Sequence, residues 1–310
     1  MADSSDAAGT GRTKAGVIGL GSMGYGMAMS LLRAGFDVTG CDVSPASVAK
    51  LVDAGASGAQ SPAEAVRGAG IVVSVVVNAA QTEQVLFGEG GVSSAMTPGA
   101  VFISSATMDP DVVRGLAGRV EALGCHYLDA PMSGGAQRAS EGALTFLASG
   151  STAAFAQARP ALNAMAAKVY ELGSEPGQGA AFKMINQLLA GVHIAAASEA
   201  IAFAAKQGLD IAEVYKVITA SAGNSWMFEN RIPHVLKGDY TPHSAVEIFV
   251  KDLGIVQDMA RSARFPVPMA AAALQMFLMT AGAGMGRDDD SSVARLYAQV
   301  TGTSLPGSQS

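Results

Sequence analysis

The sequence is poor in cysteine, in charge and in aromatic residues. Only Cys41 and Cys125 occur among 310 residues, too few for a disulfide framework and typical of a reducing compartment. Charged residues make up 15% and aromatic residues 6% of the chain, and no two basic residues are adjacent. The formal net charge is −6. A mildly acidic chain without a basic cluster is not expected to bind nucleic acid or an anionic membrane.

Long hydrophobic segments are also scarce. The first 12 residues are small and polar and lack the apolar centre of a signal peptide, so we expect a disordered leader over residues 1–12 and a cytoplasmic protein. Residues 265–286 carry no charge and are long enough to span a bilayer. Because this segment begins with two prolines and ends in alternating alanine and glycine, a buried helix of a globular domain is the favoured interpretation.

Apolar residues make up 49% of the chain, and their pattern differs between its two halves. In the first half, short apolar runs alternate with helical segments, which is typical of a parallel sheet covered by helices. The predicted strands are Gly16–Ile18, Asp37–Cys41, Ile71–Val77, Val101–Ser104 and His126–Leu128. Two further strands, Leu144–Ala148 and Lys168–Glu171, are expected to extend the same sheet.

No strand is predicted after Gly173. A helical pattern runs from Gln178 to Gln207, roughly 45 Å at ~1.5 Å per residue, and shorter helices are expected at Val246–Ala263, Met269–Ala281 and Asp289–Val300. The sequence therefore predicts an α/β fold. Residues 13–176 would form a Rossmann-type doubly wound parallel sheet and residues 177–310 an all-helical domain for substrate and oligomerisation, joined by the long interdomain helix.

A glycine-rich string directly follows the first predicted strand. It reads Gly19-Leu20-Gly21-Ser22-Met23-Gly24, and a helical pattern follows it. In such a loop the first glycine permits a tight turn, the second lets the backbone approach a pyrophosphate, and the third lets the helix pack on the sheet. The helix N-terminus then offers free N–H groups to the phosphates. The string predicts a dinucleotide-binding site.

Asp42 ends the next predicted strand, 18 residues after the last glycine of the string. An acidic residue in this place accepts hydrogen bonds from the ribose hydroxyls of the adenosine. Its charge would repel a 2′-phosphate, and the residues that follow (Val43-Ser44-Pro45) include no arginine. NAD is therefore the predicted cofactor rather than NADP.

Three further strings accompany the glycine loop in the same order and spacing as in a known family. They are Asp129-Ala130-Pro131-Met132-Ser133-Gly134-Gly135, Gly177-Gln178-Gly179 with Lys183 shortly after it, and Phe249-Val250-Lys251-Asp252-Leu253. Together the four strings resemble the β-hydroxyacid dehydrogenase family, which includes the 3-hydroxyisobutyrate dehydrogenases. The resemblance covers nearly the whole chain and implies an NAD-dependent oxidoreductase that acts on a small hydroxy acid.

The resemblance also implies roles for individual residues. The family's catalytic lysine falls on Lys183. The candidate substrate-binding residues are Ser133, Gly134, Gly135, Asn186, Gln187 and Asn224. The candidate cofactor-binding residues beyond the glycine loop are Asp42, Val77, Asn78, Thr107 and Lys251. Two simpler roles stay open, because Lys251 and Asp252 fit an exposed charge pair at a helix start and Asn224 fits a helix cap.

The chemistry of alcohol oxidation explains why a lysine is needed. A positioned base must take the hydroxyl proton as hydride leaves the carbon, and such a base contributes ~10²–10⁴-fold to the rate. A free lysine has a pKa near ~10.4 and is a poor base at neutral pH, so Lys183 is expected to be buried, which disfavours its ammonium form. Asn186, one turn along the same helix, is expected to orient either Lys183 or the substrate hydroxyl.

No metal is expected in this site. The four histidines have no metal-ligand spacing, and no Gly-x-Ser-x-Gly elbow for a serine nucleophile is present. Both observations disfavour metal-dependent and covalent mechanisms.

Four more strings resemble the threonate-oxidising members of the family. They are Val76-Val77-Asn78-Ala79-Ala80-Gln81, Gln187-Leu188-Leu189-Ala190-Gly191-Val192-His193, the run from Gly223 to Arg231, and the run from Gly238 to Val246. Oxidation of a sugar acid at its C2 hydroxyl, with L-threonate as the first candidate, is the implied reaction. Asn186 instead follows the wider family's Lys-x-x-Asn pattern, where threonate-oxidising members often carry histidine. Oxidation or reduction of another small substrate, 3-hydroxyisobutyrate or the pair glycerate and tartronate semialdehyde, therefore stays an alternative.

A catalytically silent NAD-binding scaffold is the alternative from a different class of function. Lys183 argues against it, because a silent protein has no use for the lysine. The long helix also carries more apolar side chains than one small domain would cover. These residues, Leu188, Leu189, Ile194, Ile201 and Phe203, predict a homodimer or homotetramer, and the family resemblance implies the same.

Overall fold

In a computed structural model of the chain, residues 12–308 are described. The chain divides into two compact units between Ala180 and Ala181, whereas the sequence analysis placed the boundary between residues 176 and 177. Apart from Arg12, the leader predicted over residues 1–12 lies outside the described residues.

The main sheet of the first unit has six parallel strands in the order β3-β2-β1-β4-β5-β6. This order is that of a doubly wound dinucleotide-binding sheet, and it confirms the predicted fold class. In register, Ile18 pairs with Cys41 on one side and with Ser74 on the other. The strands are β1 Lys14–Ile18, β2 Asp37–Cys41, β3 Ser57–Gly58, β4 Ile71–Ser74, β5 Val101–Ser104 and β6 His126–Asp129.

Helices cover both faces of this sheet. Consecutive side chains of a strand point to opposite faces, and both faces are buried, since Val17 and Ile18 are 0% and 3% exposed and belong to different core clusters. This double burial explains the unbroken apolar runs of the strands. The helices of this unit are α1 Gly24–Arg33, α2 Pro45–Asp53, α3 Pro62–Ala65, α4 Ala79–Phe87, α5 Pro110–Glu121, α6 Gly135–Glu141 and α7 Thr152–Met165.

A second sheet of three strands corrects one prediction. The two strands expected to extend the main sheet, now β8 Leu144–Ala148 and β9 Ala166–Glu171, instead pair with each other and with the short β7, Met132–Ser133. Strand β8 runs antiparallel to β7 and reaches the main sheet through a single bridge between Asp129 and Ser149. Pro131 interrupts the ladder there because it has no backbone N–H.

The second unit is helical, as predicted. Its helices are α8 Gln178–Lys206, α9 Ile211–Thr219, α10 Trp226–Lys237, α11 Val246–Ser262, α12 Pro268–Thr280 and α13 Val293–Thr301, and the first three residues of α8 belong to the first unit. Helix α8 and the run Pro268–Met285 are long and apolar enough to cross a bilayer by length and composition. Core helices of soluble proteins meet the same criteria, so these two helices are weak evidence for a membrane span.

Candidate active site

The glycine loop joins β1 to α1 at the point where the strand order of the sheet reverses, which is where doubly wound folds bind their ligands. Gly19 has φ +90° and donates its backbone N–H to Cys41 O at 2.9 Å. Among the described residues, no side chain caps the N-terminus of α1, whereas Asn78 caps α4 and Asp109 caps α5. An uncapped helix N-terminus beside a glycine loop fits the pyrophosphate of a dinucleotide.

The glycines of this loop are required for two different reasons. A Cβ on Gly24 would lie 1.9 Å from Gly19 O, so Gly24 lets the start of α1 pack against the backbone of the loop. A Cβ on Gly21 would meet no protein atom within 4 Å, so the fold itself does not require this glycine. The open space over Gly21 leaves room for a ligand at this point of the loop.

This contrast predicts opposite effects for two alanine variants of one loop. Gly21→Ala should leave the thermal unfolding midpoint unchanged but raise the Kd of NADH by at least ~10-fold, since the new methyl group occupies ligand space. Gly24→Ala should lower the free energy of unfolding by about 1–3 kcal/mol, because the methyl group clashes with backbone. Calorimetry and NADH fluorescence titration of both variants measure these effects. Unchanged NADH binding by Gly21→Ala would show that the space over Gly21 is not occupied by the bound cofactor.

Asp42 lies at the carboxyl end of β2 and contacts the glycine loop. Its Oδ2 accepts a hydrogen bond from Leu20 N at 2.5 Å, and its Oδ1 accepts one from Ser44 N at 2.7 Å. Each carboxylate oxygen can accept a second hydrogen bond, so the side chain retains acceptors for ribose hydroxyls. The sequence analysis predicted the ribose role, but the bond to Leu20 is visible only in the structure.

Other predicted cofactor residues of the first unit follow the carboxyl ends of neighbouring strands. Val77 is 49% exposed, and its N–H donates to Gln81 Oε1 at 2.8 Å. Asn78 accepts from Gln81 N at 2.9 Å and so begins α4, and Thr107 follows β5. Because β4 and β5 are parallel, these segments lie at the same edge of the sheet as the glycine loop.

The predicted carboxylate loop lies between β7 and α6. Ser133 is exposed, and both Gly134 (φ +138°) and Gly135 (φ +76°) have left-handed backbone conformations that favour glycine. A Cβ on Gly135 would meet nothing within 4 Å. The loop therefore presents an exposed hydroxyl beside two glycines, a combination that suits an anionic ligand.

Lys183 lies on α8 and is 8% exposed. Burial lowers the pKa of its ammonium group to about 8, while the charge of Asp252 raises that pKa and the charge of Lys251 lowers it. At a pKa of about 8, roughly one lysine in ten is neutral at pH 7, against roughly one in a few thousand at the ordinary value. Lys183 is therefore buried, as predicted, and its burial lowers the pKa of the ammonium group, as expected.

Asp252 connects three further predicted residues of the second unit. Its buried carboxylate accepts from Gln187 Nε2 at 2.5 Å and pairs with Lys251 Nζ at 2.6 Å. Asn186 Nδ2 in turn donates to Gln187 Oε1 at 3.0 Å. The predicted residues Asn186, Gln187 and Lys251 are thus joined through a carboxylate that the sequence analysis had left out of the site.

The close approach of α8 to α11 produces this network. A Cβ on Gly191 of α8 would lie only 2.9 Å from Leu253 Cδ1 of α11, and Gly191 lies one turn after Gln187. The only sequence signal for Asp252 is its place beside Lys251, and that signal does not show which of the two side chains is buried.

Asn224 contacts a different part of the second unit. Its Nδ2 donates to Thr219 O at 3.2 Å and to Glu229 Oε1 at 2.6 Å, so its bonds join the end of α9 to the start of α10. Within residues 12–308, its buried Oδ1 has no hydrogen-bond partner. A capping role, one of the two open alternatives for this residue, explains both hydrogen bonds that the amide nitrogen donates.

Within the described part of the chain, no group of three or more His, Cys, Asp or Glu side chains could hold a metal ion. Both cysteines are free and buried. The first unit thus offers a glycine loop with an acidic partner and a loop suited to an anion, and the second unit offers a buried lysine.

The families that this chain matches are described as NAD-binding, in agreement with the predicted dinucleotide site. Residues 14–173 match the family described as the NAD binding domain of 6-phosphogluconate dehydrogenase, and residues 177–297 match that described as NAD-binding of NADP-dependent 3-hydroxyisobutyrate dehydrogenase. The chain belongs to the 3-hydroxyisobutyrate dehydrogenase family. Membership confirms the resemblance seen in the sequence and makes the chain a hydroxyacid dehydrogenase that uses a nicotinamide dinucleotide.

Individual members of the family differ in their named substrates. An L-threonate dehydrogenase of Cupriavidus necator is 54% identical over 94% of this chain and 97% of its own length. An L-threonate dehydrogenase of Escherichia coli strain K12 is 48% identical over 95% and 97%. The crystal structure of a 3-hydroxyisobutyrate dehydrogenase from Salmonella typhimurium superposes with a TM-score of 0.87 at 49% identity, covering 91% of this chain and 99% of that chain.

Proposed function

We propose that the protein oxidises the C2 hydroxyl of a sugar acid with NAD, and that the reaction converts L-threonate to 2-dehydro-L-erythronate. The observation that carries the proposal is the buried Lys183, whose pKa of about 8 makes it a usable base near neutral pH. The relatives named L-threonate dehydrogenase, at 48% and 54% identity, support the choice of substrate.

In this proposal Lys183 takes the proton of the hydroxyl group during oxidation and returns it during reduction. When bound, the nicotinamide dinucleotide accepts the hydride that leaves the same carbon. Asp252 keeps a negative charge near Lys183 and so favours the ammonium form that follows proton uptake. Asn186 orients Lys183 or the substrate hydroxyl. Gln187 connects Asn186 to Asp252 through hydrogen bonds.

The remaining groups bind the ends of the two ligands. Ser133, Gly134 and Gly135 would hold the substrate carboxylate with donors that do not titrate. The glycine loop would hold the pyrophosphate, and Asp42 the adenosine ribose. The negative charge of Asp42 supports NAD over NADP. We assign Val77, Asn78, Thr107 and Lys251 to the cofactor and Asn224 to the substrate on the family resemblance.

A substrate panel tests this function. L-threonate, 3-hydroxyisobutyrate and glycerate are assayed for reduced-cofactor production with NAD and with NADP, and we expect the highest kcat/KM for L-threonate with NAD. Highest turnover of 3-hydroxyisobutyrate, the substrate that the name of the Salmonella relative implies, would replace L-threonate but keep the reaction type. No turnover of any hydroxy acid would support the silent scaffold instead.

The pH dependence of the reaction follows from the pKa of Lys183. Because the amine must be neutral to accept a proton, kcat/KM for oxidation should rise with pH and level off above about 8. Reduction needs the ammonium form, so its rate should fall over the same range. Asp252→Asn removes the charge that raises the pKa of Lys183, so the inflection should move to lower pH.

Asp258→Asn is the matched control for this shift. Asp258 lies on the same helix, is 65% exposed and pairs with Arg261 at 2.8 Å, so its loss should leave the inflection in place. If Asp252→Asn does not shift the inflection of the pH profile, the group that titrates is not Lys183. Initial rates between pH 6 and pH 10, measured in both directions, give the inflections.

We also propose a cytoplasmic homodimer or homotetramer. Phe182, Ile185 and Leu189 lie three and four residues apart on α8 and are 54%, 60% and 50% exposed, which gives one helix face a row of unpartnered apolar side chains. Light scattering of the intact chain measures the oligomeric state, and a monomeric mass would contradict the proposal.

A further inference from the structure

Side chains from distant parts of the first unit hold the start of α8. Asp129 Oδ2 accepts hydrogen bonds from the backbone N–H groups of Gly177 at 3.0 Å and Ala180 at 2.8 Å. Ser149 Oγ accepts from Gly179 N at 2.9 Å and donates to Asp129 Oδ2 at 3.3 Å. Both Asp129 and Ser149 are fully buried. These bonds satisfy backbone donors that a helix leaves unpaired in its first turn.

Two glycines make this remote cap both possible and necessary. A Cβ on Gly177, which has φ +100°, would lie 3.0 Å from the backbone oxygen of Pro110, and a Cβ on Gly179 would lie 2.3 Å from Leu147 O. Larger residues would therefore push the helix start away from its neighbours. Since neither glycine has a side chain, the acceptors have to come from Asp129, at the end of β6, and from Ser149.

As a source of stability alone, a buried carboxylate is an unfavourable way to cap a helix. Burial raises the pKa of Asp129 to about 6 despite its three hydrogen bonds, and in the described part of the chain its Oδ1 has no hydrogen-bond partner. The nearby α7 is capped by its own Ser151, whose Oγ accepts from Ala154 N at 3.2 Å. A buried carboxylate therefore caps α8 where a serine would be sufficient for stability. This choice indicates that the position of the first turn of α8 has to be defined closely.

We propose that Asp129 is a positioning residue that, together with Ser149, fixes the first turn of α8 and thereby the place of Lys183. The inference rests on the proposed role of Lys183 as the base. Lys183 follows Ala180 by three residues on the same helix, a rise of ~4.5 Å, so any fraying of the first turn displaces the amine. A misplacement of ~1 Å at a reacting group can lower turnover by ~10²-fold.

The test compares three variants of the intact chain. Asp129→Ala should lower kcat for L-threonate oxidation by ~10- to 100-fold, with KM and the Kd of NADH changed less than about twofold. Asp129→Asn should stay within about threefold of the wild type, because an amide oxygen in the place of Oδ2 meets the same donors. Ser149→Ala removes one acceptor and should lower kcat by about threefold, again without loss of NADH affinity.

Ser151→Ala is the matched control, because it removes the cap of a neighbouring helix that does not carry Lys183. Equal losses of kcat in Ser151→Ala and Asp129→Ala, or a loss of NADH affinity as large as the loss of kcat, would overturn the positioning role. If Asp129→Ala does not fold, Ser149→Ala decides, and an unchanged kcat in that variant overturns the inference.

A Lys183→Ala variant separates the two claims. If it is inactive while Asp129→Ala turns over normally, only the positioning inference fails. If Lys183→Ala itself turns over normally, the base assignment fails and the positioning inference fails with it.

Discussion

Replacing Lys183 with alanine is expected to lower kcat for hydroxy acid oxidation by at least ~10²-fold while the Kd of NADH changes less than about twofold. The lysine is the buried base of the proposed reaction, with a pKa lowered to about 8, whereas the glycine loop and Asp42 are the proposed cofactor-binding groups. Steady-state rates with L-threonate and NADH fluorescence titration measure the two quantities. Loss of NADH binding in this variant would mean that Lys183 serves the cofactor and not the proton.

Two further variants strengthen this test. Lys183→Arg keeps a positive charge, but a guanidinium group does not lose its proton in the working pH range, so this variant should be as inactive as the alanine variant if a neutral base is required. Lys206→Ala removes a lysine from the other end of α8, where Nζ donates to Thr301 O at 3.0 Å, and should keep normal turnover. Substantial activity in Lys183→Arg would favour a purely electrostatic role for the lysine.

Replacing Asp42 with alanine is expected to weaken NAD binding by at least ~10-fold and to lower the preference for NAD over NADP by a similar factor. The side chain accepts hydrogen bonds from Leu20 N and Ser44 N, and in the proposed role at the adenosine ribose its charge would repel a 2′-phosphate. Asp42→Asn keeps an acceptor but loses the charge, so it should relax the preference while retaining more of the NAD affinity. The ratio of kcat/KM values with the two cofactors measures the effect.

Asp37→Ala is the matched control for this prediction. Asp37 begins the same strand at the opposite edge of the sheet and is exposed, so its loss should leave the cofactor ratio unchanged. If Asp42→Ala weakens NAD and NADP equally, Asp42 supports the glycine loop and does not select the cofactor.

Local features of the chain were predictable from the sequence, whereas pairings between distant segments were not. The order of strand, glycine loop, helix and acid is contained within residues 14–42, and the structure has these elements at the predicted places. Strand β8 was recognised as a strand but assigned to the wrong sheet, because apolar periodicity does not specify pairing partners. The antiparallel pairing with β7, next to Pro131, depends on a change of chain direction that no local pattern encodes.

The same distinction applies to the candidate site. Lys183 was recognisable because glycines and an asparagine surround it at family spacing, and its burial followed from the chemistry assigned to it. Asp252 and Asp129 were not recognisable as its supports. Asp252 is 65 residues from the amide of Gln187 that it binds, and Asp129 is 51 residues from the backbone N–H of Ala180.

Short-range pattern is therefore sufficient for the dinucleotide loop, the parallel strands, the long helix and the choice of Lys183 as the candidate base. Each of these depends on residues that are neighbours in the chain, and their backbone preferences and spacing can be predicted from the sequence alone. The partners of the lysine, the remote cap of α8 and the second sheet depend on packing between distant segments. Side-chain burial and hydrogen-bond partners of that kind arise only when the chain has folded.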